Sequence, residues 1–152
     1  NKKKINSLKI HLVGRLQTNK VKHAIKIFDF IHSLDSKKLA AKISEEQEKQ
    51  KIKPKIFIQI NIGGENQKSG VRLSELKNLV NYCKELKLNL IGLMCIPPEK
   101  EDCSFYFKEM SKLNNLHNLE ELSMGMSSDF VEAAQNNSTF LRIGSNIFGQ
   151  RS

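Results

Sequence analysis

Two short Gly/Ser segments near the carboxyl end of the sequence have the residue types that bind an anion. Residues 125–128 (Gly-Met-Ser-Ser) and 144–145 (Gly-Ser) each stand between a strand-like run and a helix-like segment. Glycine lets a ligand approach the backbone, N–H groups at a helix start favour negative charge, and a serine hydroxyl adds a donor. Because Gly-Ser before a helix is also an ordinary N-cap, the residues alone leave phosphate binding and capping open.

Arg142 is the second candidate, since it lies in a largely apolar strand-like run beside the second Gly/Ser segment. A guanidinium in such a run needs a partner, because a buried charge is costly when it is unpaired. One interpretation is a structural ion pair. The other is a cation that faces a ligand pocket, and the sequence leaves both open.

The remaining polar candidates give no recognisable catalytic motif. His11, His23, His32 and His117 lack the spacing of metal ligands, so we predict no metal site, and we expect His11 and His32 to be hydrogen-bonded core or barrel-lining groups. Lys68 follows a strand end, where a solvated loop lysine is favoured over one that reaches a pocket. No P-loop, dinucleotide fingerprint or nucleophile elbow occurs, and we predict no catalytic residue.

The composition narrows the class of protein. The chain has 152 residues, of which 39% are apolar and 27% charged, as in an ordinary single globular domain. No apolar run approaches the roughly 20 residues of a membrane-spanning helix. The absence of Trp and the presence of only two Tyr argue against a stacking surface for single-stranded nucleic acid. Three cysteines without a C-x-x-C pair predict neither disulfides nor a zinc site, and they fit the cytosol.

The net charge of +9 is confined to the first third of the chain. Residues 1–55 carry 15 Lys/Arg against 5 Asp/Glu, whereas residues 56–152 carry 10 against 11. Nearly all of these basic residues are lysines, while specific base recognition depends on arginine. We therefore favour a solvated face and compositional bias over a specific nucleic-acid partner, and keep a basic nucleic-acid-binding protein as an alternative class.

These candidates must be positioned by alternating strands and helices. Strand-like runs occupy residues 8–13, 28–34, 56–62, 90–95, 121–124 and 139–143. Helical patterns occupy residues 19–27, the segment after Asp35 or Ser36, the segment from Ser74, and residues 102–117 and 130–135. Strands joined through helices run parallel, so the chain is an α/β protein with either a doubly wound sheet or a barrel. No break in composition divides residues 1–152.

Several blocks of the sequence resemble the pyridoxal-phosphate homeostasis (YggS/PROSC) family. Residues 11–20 (HLVGRLQTNK) are similar to its signature H-x-[IV]-G-x-L-Q-x-N-K. The similarity continues in order through residues 31–35, 59–62, 65–70, 92–97, 122–129 and 141–149. It implies an alanine-racemase-like (β/α)8 TIM-type barrel, of which we expect residues 1–152 to be one incomplete domain with about six parallel units, the third to the eighth.

The resemblance also implies a function and a set of site residues. It implies a cytoplasmic protein that binds pyridoxal 5'-phosphate (PLP), serves PLP homeostasis and has no established catalytic activity. By position, Ser127 with its neighbour Met126, and Gly144 with Ser145, correspond to the phosphate-binding segments, and Arg142 to the arginine that faces the pyridine nitrogen. Ser145 stands where threonine is usual and keeps the hydroxyl.

The sequence departs from the family at its start. The resemblance places the Schiff-base lysine at the end of the first barrel strand, and we expect no counterpart within these 152 residues. We expect two exposed sheet edges and self-association through them, and a monomer for a complete barrel. The enzymatic alternative is a PLP-dependent fold-type III racemase or decarboxylase fragment. It is less favoured, because such enzymes take a catalytic base from a second domain.

Overall fold

The structure, a computed structural model, describes residues 8–65, 67, 69–98 and 101–149. Over these residues it contains six strands: β1 His11–Leu12, β2 Phe30–Leu34, β3 Lys55–Ile60, β4 Leu90–Cys95, β5 Glu121–Met126 and β6 Phe140–Arg142. The intervening helices are α1 Val21–Ile27, α2 Lys37–Gln50, α3 Leu73–Glu85, α4 Cys103–Leu116, α5 Phe130–Gln135 and α6 Ser145–Phe148. A 3-10 turn at Thr18–Lys20 leads into α1.

The strands form one parallel sheet whose spatial order equals the order along the chain. Every neighbouring pair is parallel, from His11 opposite Phe30 at one end to Met126 opposite Arg142 at the other. A doubly wound sheet reverses its strand order at a switch point, whereas a barrel does not. The sheet is therefore an open half-barrel, which confirms the prediction of a TIM-type arrangement with about six parallel units.

The outer face of the sheet is aliphatic and lies under the helices. On β3, Ile56, Ile58 and Ile60 are buried, and they belong to one core cluster with residues such as Ile43 of α2 and Leu79 of α3. Burial of this kind contributes about 1.5–3 kcal/mol for each large aliphatic side chain. The outer face thus supplies the main driving force that orders the half-barrel.

The inner face carries a smaller cluster built on Phe30, Phe57 and Met94, against which Phe140 packs. Gly92 belongs to the same region, because a Cβ atom there would lie 1.9 Å from the carbonyl oxygen of Glu121. Only glycine lets β4 and β5 approach so closely. Val13 and Ile91 also pack against this cluster, and the rings of His11 and His32 stack on Phe30 and Phe57.

The caps and buried faces of two helices can be compared with the sequence. Ser36, one of the two predicted caps, accepts a hydrogen bond from the Leu39 N–H at 3.4 Å. On α4, helical spacing places Tyr106, Met110, Leu113 and His117 on one stripe, and the first three of these residues pack in or against the core. The buried positions of the helix are Phe107, Met110 and Asn114, so its buried face extends one position beyond this stripe. Within the described part of the chain, no helix is long and apolar enough to cross a membrane.

The edge strand β1 is shorter than predicted. The sequence predicts a strand over residues 8–13, but only His11–Leu12 pair as β-structure. In the described sheet β1 has a neighbour on one side only, so half of its backbone groups have no ladder partner. The apolar pattern therefore overstates its length, while the interior strands β3 and β4 are close to prediction.

Candidate functional site

The turns after β5 and β6 meet through the Ser127 hydroxyl. Its Oγ accepts hydrogen bonds from the backbone N–H groups of Gly144 at 3.1 Å and Asn146 at 3.4 Å. The Asn146 side-chain amide donates to the Ser127 carbonyl at 2.9 Å. The hydrogen-bond donors at the start of α6 therefore converge on the hydroxyl of the preceding turn, and the two Gly/Ser segments form one continuous surface.

The turn that carries Ser127 is closed by Asp129. Its carboxylate accepts from the Met126 N–H at 2.6 Å, and its own N–H donates to the Met126 carbonyl at 3.1 Å. The spacing of Asp129 and Glu132 in the sequence predicts a capping box at the start of α5. This prediction is wrong, because the carboxylate of Asp129 binds the chain before it and not the first turn of α5. Gly125 has a φ of +91°, which a side chain would strain.

The surface of these turns is open to solvent. Met126 and Ser145 are exposed, and Ser127 is half-buried. A Cβ atom added to Gly144 would meet no other atom within 4 Å, so there is room above the turn for a ligand to reach the backbone. The hydroxyl of Ser127 accepts two bonds here and keeps its own hydrogen to donate to an anion.

Arg142 lies at the same end of the sheet and reaches across two strands. Its Nη1 donates to the Ser123 hydroxyl of β5 at 2.9 Å, and its Nη2 donates to the Cys95 carbonyl at the end of β4 at 2.8 Å. No carboxylate pairs with Arg142 among the residues that the structure describes. A structural ion pair therefore has no partner at contact distance there. Burial lowers the pKa of Arg142, and the charge of Asp129 acts in the opposite direction without direct contact.

The five predicted site residues occupy one region of the fold. Met126 lies opposite Arg142 in the register of β5 and β6, and Ser127 follows it directly. Gly144 is bound to Ser127, and Ser145 is the first residue of α6. All of these residues lie at the carboxyl ends of parallel strands, where barrel folds place their ligand sites.

A line of three further residues leads to Arg142, and only the last of them, Ser123, contacts it. His11 Nδ1 lies 2.9 Å from His32 Nε2, and His32 Nδ1 lies 2.8 Å from the Ser123 hydroxyl. The prediction that both histidines are hydrogen-bonded, barrel-lining groups is confirmed. The sequence analysis did not identify Ser123, which is fully buried and joins the histidines to the arginine. The sequence holds no clear signal for this residue, because a single serine inside the run 121–124 belongs to no recognisable motif.

The other candidate groups do not join this site. Burial raises the pKa of Cys83 and of Cys95 to about 12, so both thiols stay protonated and are poor nucleophiles. Lys68 lies outside the described residues. No group of three or more His, Cys, Asp or Glu suited to a metal ion occurs in the ranges that the structure covers.

Fold and site together define an alanine-racemase-like half-barrel in which two Gly/Ser turns and an arginine lie at the ends of the last two strands. The model of the alanine racemase N-terminal domain family matches residues 2–152. The pyridoxal phosphate homeostasis protein of Aquifex aeolicus (strain VF5) is 42% identical over 154 residues, which cover 95% of this chain and 68% of that protein. The chain belongs to the alanine racemase N-terminal domain family, and within it to the pyridoxal-phosphate homeostasis (YggS/PROSC) group.

Other relatives agree with this placement. The pyridoxal phosphate homeostasis protein of Escherichia coli (strain K12) is 33% identical, over 97% of this chain and 67% of that protein. The chain thus spans about two thirds of the length of these relatives. PipY from Synechococcus elongatus PCC7942 superposes with a TM-score of 0.85 without PLP and 0.82 with PLP bound. Both comparisons cover 97% of this chain and 74% of PipY, at 30% and 29% identity.

Proposed function

We propose that this protein binds PLP at the carboxyl ends of β5 and β6 and serves PLP homeostasis without catalysing a reaction of its own. The observation that carries the proposal is the meeting of an anion-binding surface and a guanidinium at one end of the sheet. Ser127 joins the Gly144 turn at 3.1 Å, and Arg142 lies opposite Met126 in the strand register. The names of the relatives and the PLP-bound PipY structure support the same ligand.

The phosphate would lie against the two serine turns. The Gly144 and Asn146 N–H groups already point at an oxygen atom, that of the Ser127 hydroxyl. A phosphate oxygen can take the place of that acceptor or receive the hydrogen of the Ser127 hydroxyl, and Ser145 adds a second hydroxyl. Because α6 has only four residues, the individual N–H groups and not a long helix dipole would supply the attraction.

Arg142 would face the pyridine nitrogen. PLP, when bound, supplies an aldehyde and an electron-withdrawing ring whose power depends on protonation of that nitrogen. A permanent cation beside the nitrogen disfavours its protonation, so the ring withdraws electrons less strongly. Arg142 has no carboxylate partner in the described structure, and its charge is available to the ligand. This arrangement supports a role in holding the cofactor in preference to a racemase or decarboxylase reaction.

The same proposal covers the organisation and location of the protein. We take residues 1–152 as a single partial barrel domain and place it in the cytoplasm, where the three free thiols would stay reduced. Its partner is the small-molecule cofactor, with no specific nucleic acid and no membrane. The unpaired sides of β1 and β6 in the described sheet favour self-association when nothing else covers them.

Removal of the two serine hydroxyls tests the phosphate site. In the protein expressed from its complete gene, Ser127→Ala with Ser145→Ala should weaken PLP affinity by roughly tenfold or more, because charge-assisted hydrogen bonds contribute about 1.5–3 kcal/mol each. PLP binding would be measured by equilibrium dialysis with detection of PLP absorbance. Pyridoxal, which lacks the phosphate, should bind weakly to both proteins.

The matched control is Ser74→Ala, which removes an exposed hydroxyl from the first turn of α3. It should leave PLP affinity unchanged. If the double variant binds PLP as tightly as the parent protein, the phosphate lies elsewhere and the assignment of these turns is wrong. If the parent protein binds no PLP, the proposed function itself is wrong.

A further inference from the structure

A line of hydrogen bonds crosses the interior of the half-barrel and ends on Arg142. It starts at His11 on β1, passes to His32 on β2, then to Ser123 on β5, with distances of 2.9 and 2.8 Å. The last link is the bond from Arg142 on β6 to the Ser123 hydroxyl at 2.9 Å. Side chains from the first two strands are thus connected to the last two through space.

The donors and acceptors fix the direction of this line. Arginine can only donate, so the Ser123 oxygen accepts from Arg142. The hydroxyl hydrogen then remains for the other described partner of Ser123, the Nδ1 atom of His32. The Ser123 oxygen has a second lone pair that could accept from His32 instead, but the hydrogen of this buried hydroxyl would then have no acceptor among the described residues. The order that pairs every hydrogen of the line puts the hydrogen of His32 on Nε2, where it donates to His11 Nδ1. In this order both imidazoles are neutral, and no group has to share a proton.

The surroundings of His32 favour the neutral ring. The side chain is 1% exposed and stacks on Phe57, with ring centroids 4.3 Å apart and planes 14° apart. Phe140 contacts it edge-on at 5.9 Å. Burial, His11 and Arg142 together lower the pKa of His32 to about 3. Asp29, which faces His11, is the acidic group that acts in the opposite direction, and it acts on His11 and not on His32.

We propose that His32 is a positioning residue for Arg142, acting through Ser123. By accepting the Ser123 hydroxyl hydrogen, His32 turns the Ser123 oxygen toward the guanidinium and strengthens it as an acceptor, since linked hydrogen bonds polarise one another. The guanidinium is then held in one orientation at the mouth of the half-barrel. That this orientation faces the cofactor nitrogen rests on the proposed function, whereas the positioning of Arg142 does not.

Two substitutions separate the hydrogen bond from the packing. His32→Phe keeps a flat ring to stack on Phe57 but cannot accept from Ser123. His32→Asn gives up the ring but offers an amide oxygen near the place of Nδ1. A purely structural role predicts that Phe is tolerated and Asn is harmful, whereas a positioning role predicts the reverse for every property of Arg142.

The first measurement needs no cofactor. In the protein expressed from its complete gene and labelled with ¹⁵N-arginine, the guanidinium signal of Arg142 is assigned by its loss in Arg142→Lys. We expect His32→Phe to shift this signal and to speed exchange of its N–H hydrogens with water at least tenfold. His32→Asn should restore most of the slow exchange. His23→Phe, an exposed histidine on α1, is the matched control and should change nothing.

The second measurement adds PLP. We expect His32→Phe to weaken PLP affinity by roughly tenfold, the effect of one misplaced charge-assisted contact, and to alter the pH dependence of the absorbance of bound PLP. His32→Asn should lie close to the parent protein in both. If His32→Phe does not fold, His32→Leu replaces it, because leucine also cannot accept from Ser123 while the direct bond from Arg142 to Ser123 is left in place. It should produce the same two changes.

The outcomes separate the two proposals. An Arg142 signal that stays the same in His32→Phe, or in His32→Leu where that variant is used, overturns the positioning role, as does an Asn variant that behaves like Phe. These results stand whether or not PLP binds. Absence of PLP binding to the parent protein, together with the expected Arg142 response, would reject the cofactor assignment and support the positioning role.

Discussion

The two faces of the same sheet differ in what their side chains do. On β3, the outward residues Ile56, Ile58 and Ile60 are buried aliphatic groups under the helices, while the inward residues Phe57 and Gln59 alternate with them. The outward residues stabilise the fold through the apolar area that they bury and the volume that they fill. The inward face adds directional bonds, which join His11, His32, Ser123 and Arg142 into one line.

The two faces therefore control different properties: the outer face the stability of the fold, and the inner face the arrangement of the site. Parallel sheets covered on both sides usually read as continuous apolar runs, so polar residues at alternate positions are exceptions that need partners. In this half-barrel the polar residues of the inner face hydrogen-bond to one another, across β1, β2, β5 and β6. Substitutions on the outer face should therefore change stability, and substitutions on the inner face should change the state of the site at a smaller cost in stability.

The largest effect should come from a cavity on the outer face. Ile58→Ala removes a fully buried side chain from the middle strand, and we expect a loss of about 3 kcal/mol in the free energy of unfolding. Urea unfolding followed by circular dichroism would measure it. Ile58→Val, which removes one methylene, should cost about 1 kcal/mol. A cost below 1 kcal/mol for the alanine variant would contradict the assignment of the outer face as the main core.

A smaller effect should come from pH acting on the inner face. In the folded protein the pKa of His32 is lowered to about 3 from 6.5, so the unfolded chain gains a proton first as pH falls. The stabilising effect of the neutral ring is complete above pH 6.5 and is lost progressively between pH 6.5 and 3. At about 1.4 kcal/mol per pH unit, the loss by pH 5 is roughly 2 kcal/mol.

The measurement is urea unfolding at pH 7 and pH 5 for the parent protein and His32→Asn. The variant cannot take up this proton in either state, so its stability should fall less between the two pH values. Equal pH dependence in both proteins would show that His32 is not buried in its neutral form.

The smallest effect should come from the aromatic rim of the inner face. Phe140 is half-buried and contacts the rings of His11, Phe30, His32 and Phe57 at centroid distances of 5.3–5.9 Å. Phe140→Leu should cost about 1 kcal/mol, since it loses aromatic contacts but keeps an apolar group. Urea unfolding would measure it against Phe105→Leu on α4, where the side chain is 59% exposed and the change should be near zero.

The sequence predicted the interior of the fold better than its edges. The apolar runs that became β3 and β4 were placed within two residues, because side chains buried on both faces leave a clear pattern. The length of β1 was overestimated, since the extent of an edge strand depends on its pairing with a neighbour, which the apolar pattern does not show. On α4 the sequence predicted the stripe that contains Tyr106 and Met110 but not the burial of Phe107 beside it, because packing and not spacing decides that position.

The candidate site was predicted in its composition but not in its connections. Gly/Ser turns and a strand arginine are visible as residue types, and the family resemblance assigned them roles. That the Ser127 hydroxyl already occupies the N–H groups of the next turn follows only from three-dimensional geometry. The same holds for Asp129, whose carboxylate accepts from the Met126 N–H in the preceding turn and not from the helix that follows.

Arg142 also gives the half-barrel a mechanical property. From the last strand it holds the ends of the two strands before it, through the Ser123 hydroxyl and the Cys95 carbonyl. It therefore links β4, β5 and β6 through its side chain while no ligand is bound. A ligand that draws the guanidinium outward must loosen this tie, so occupancy of the mouth and cohesion of strands β4 to β6 are coupled through a single side chain.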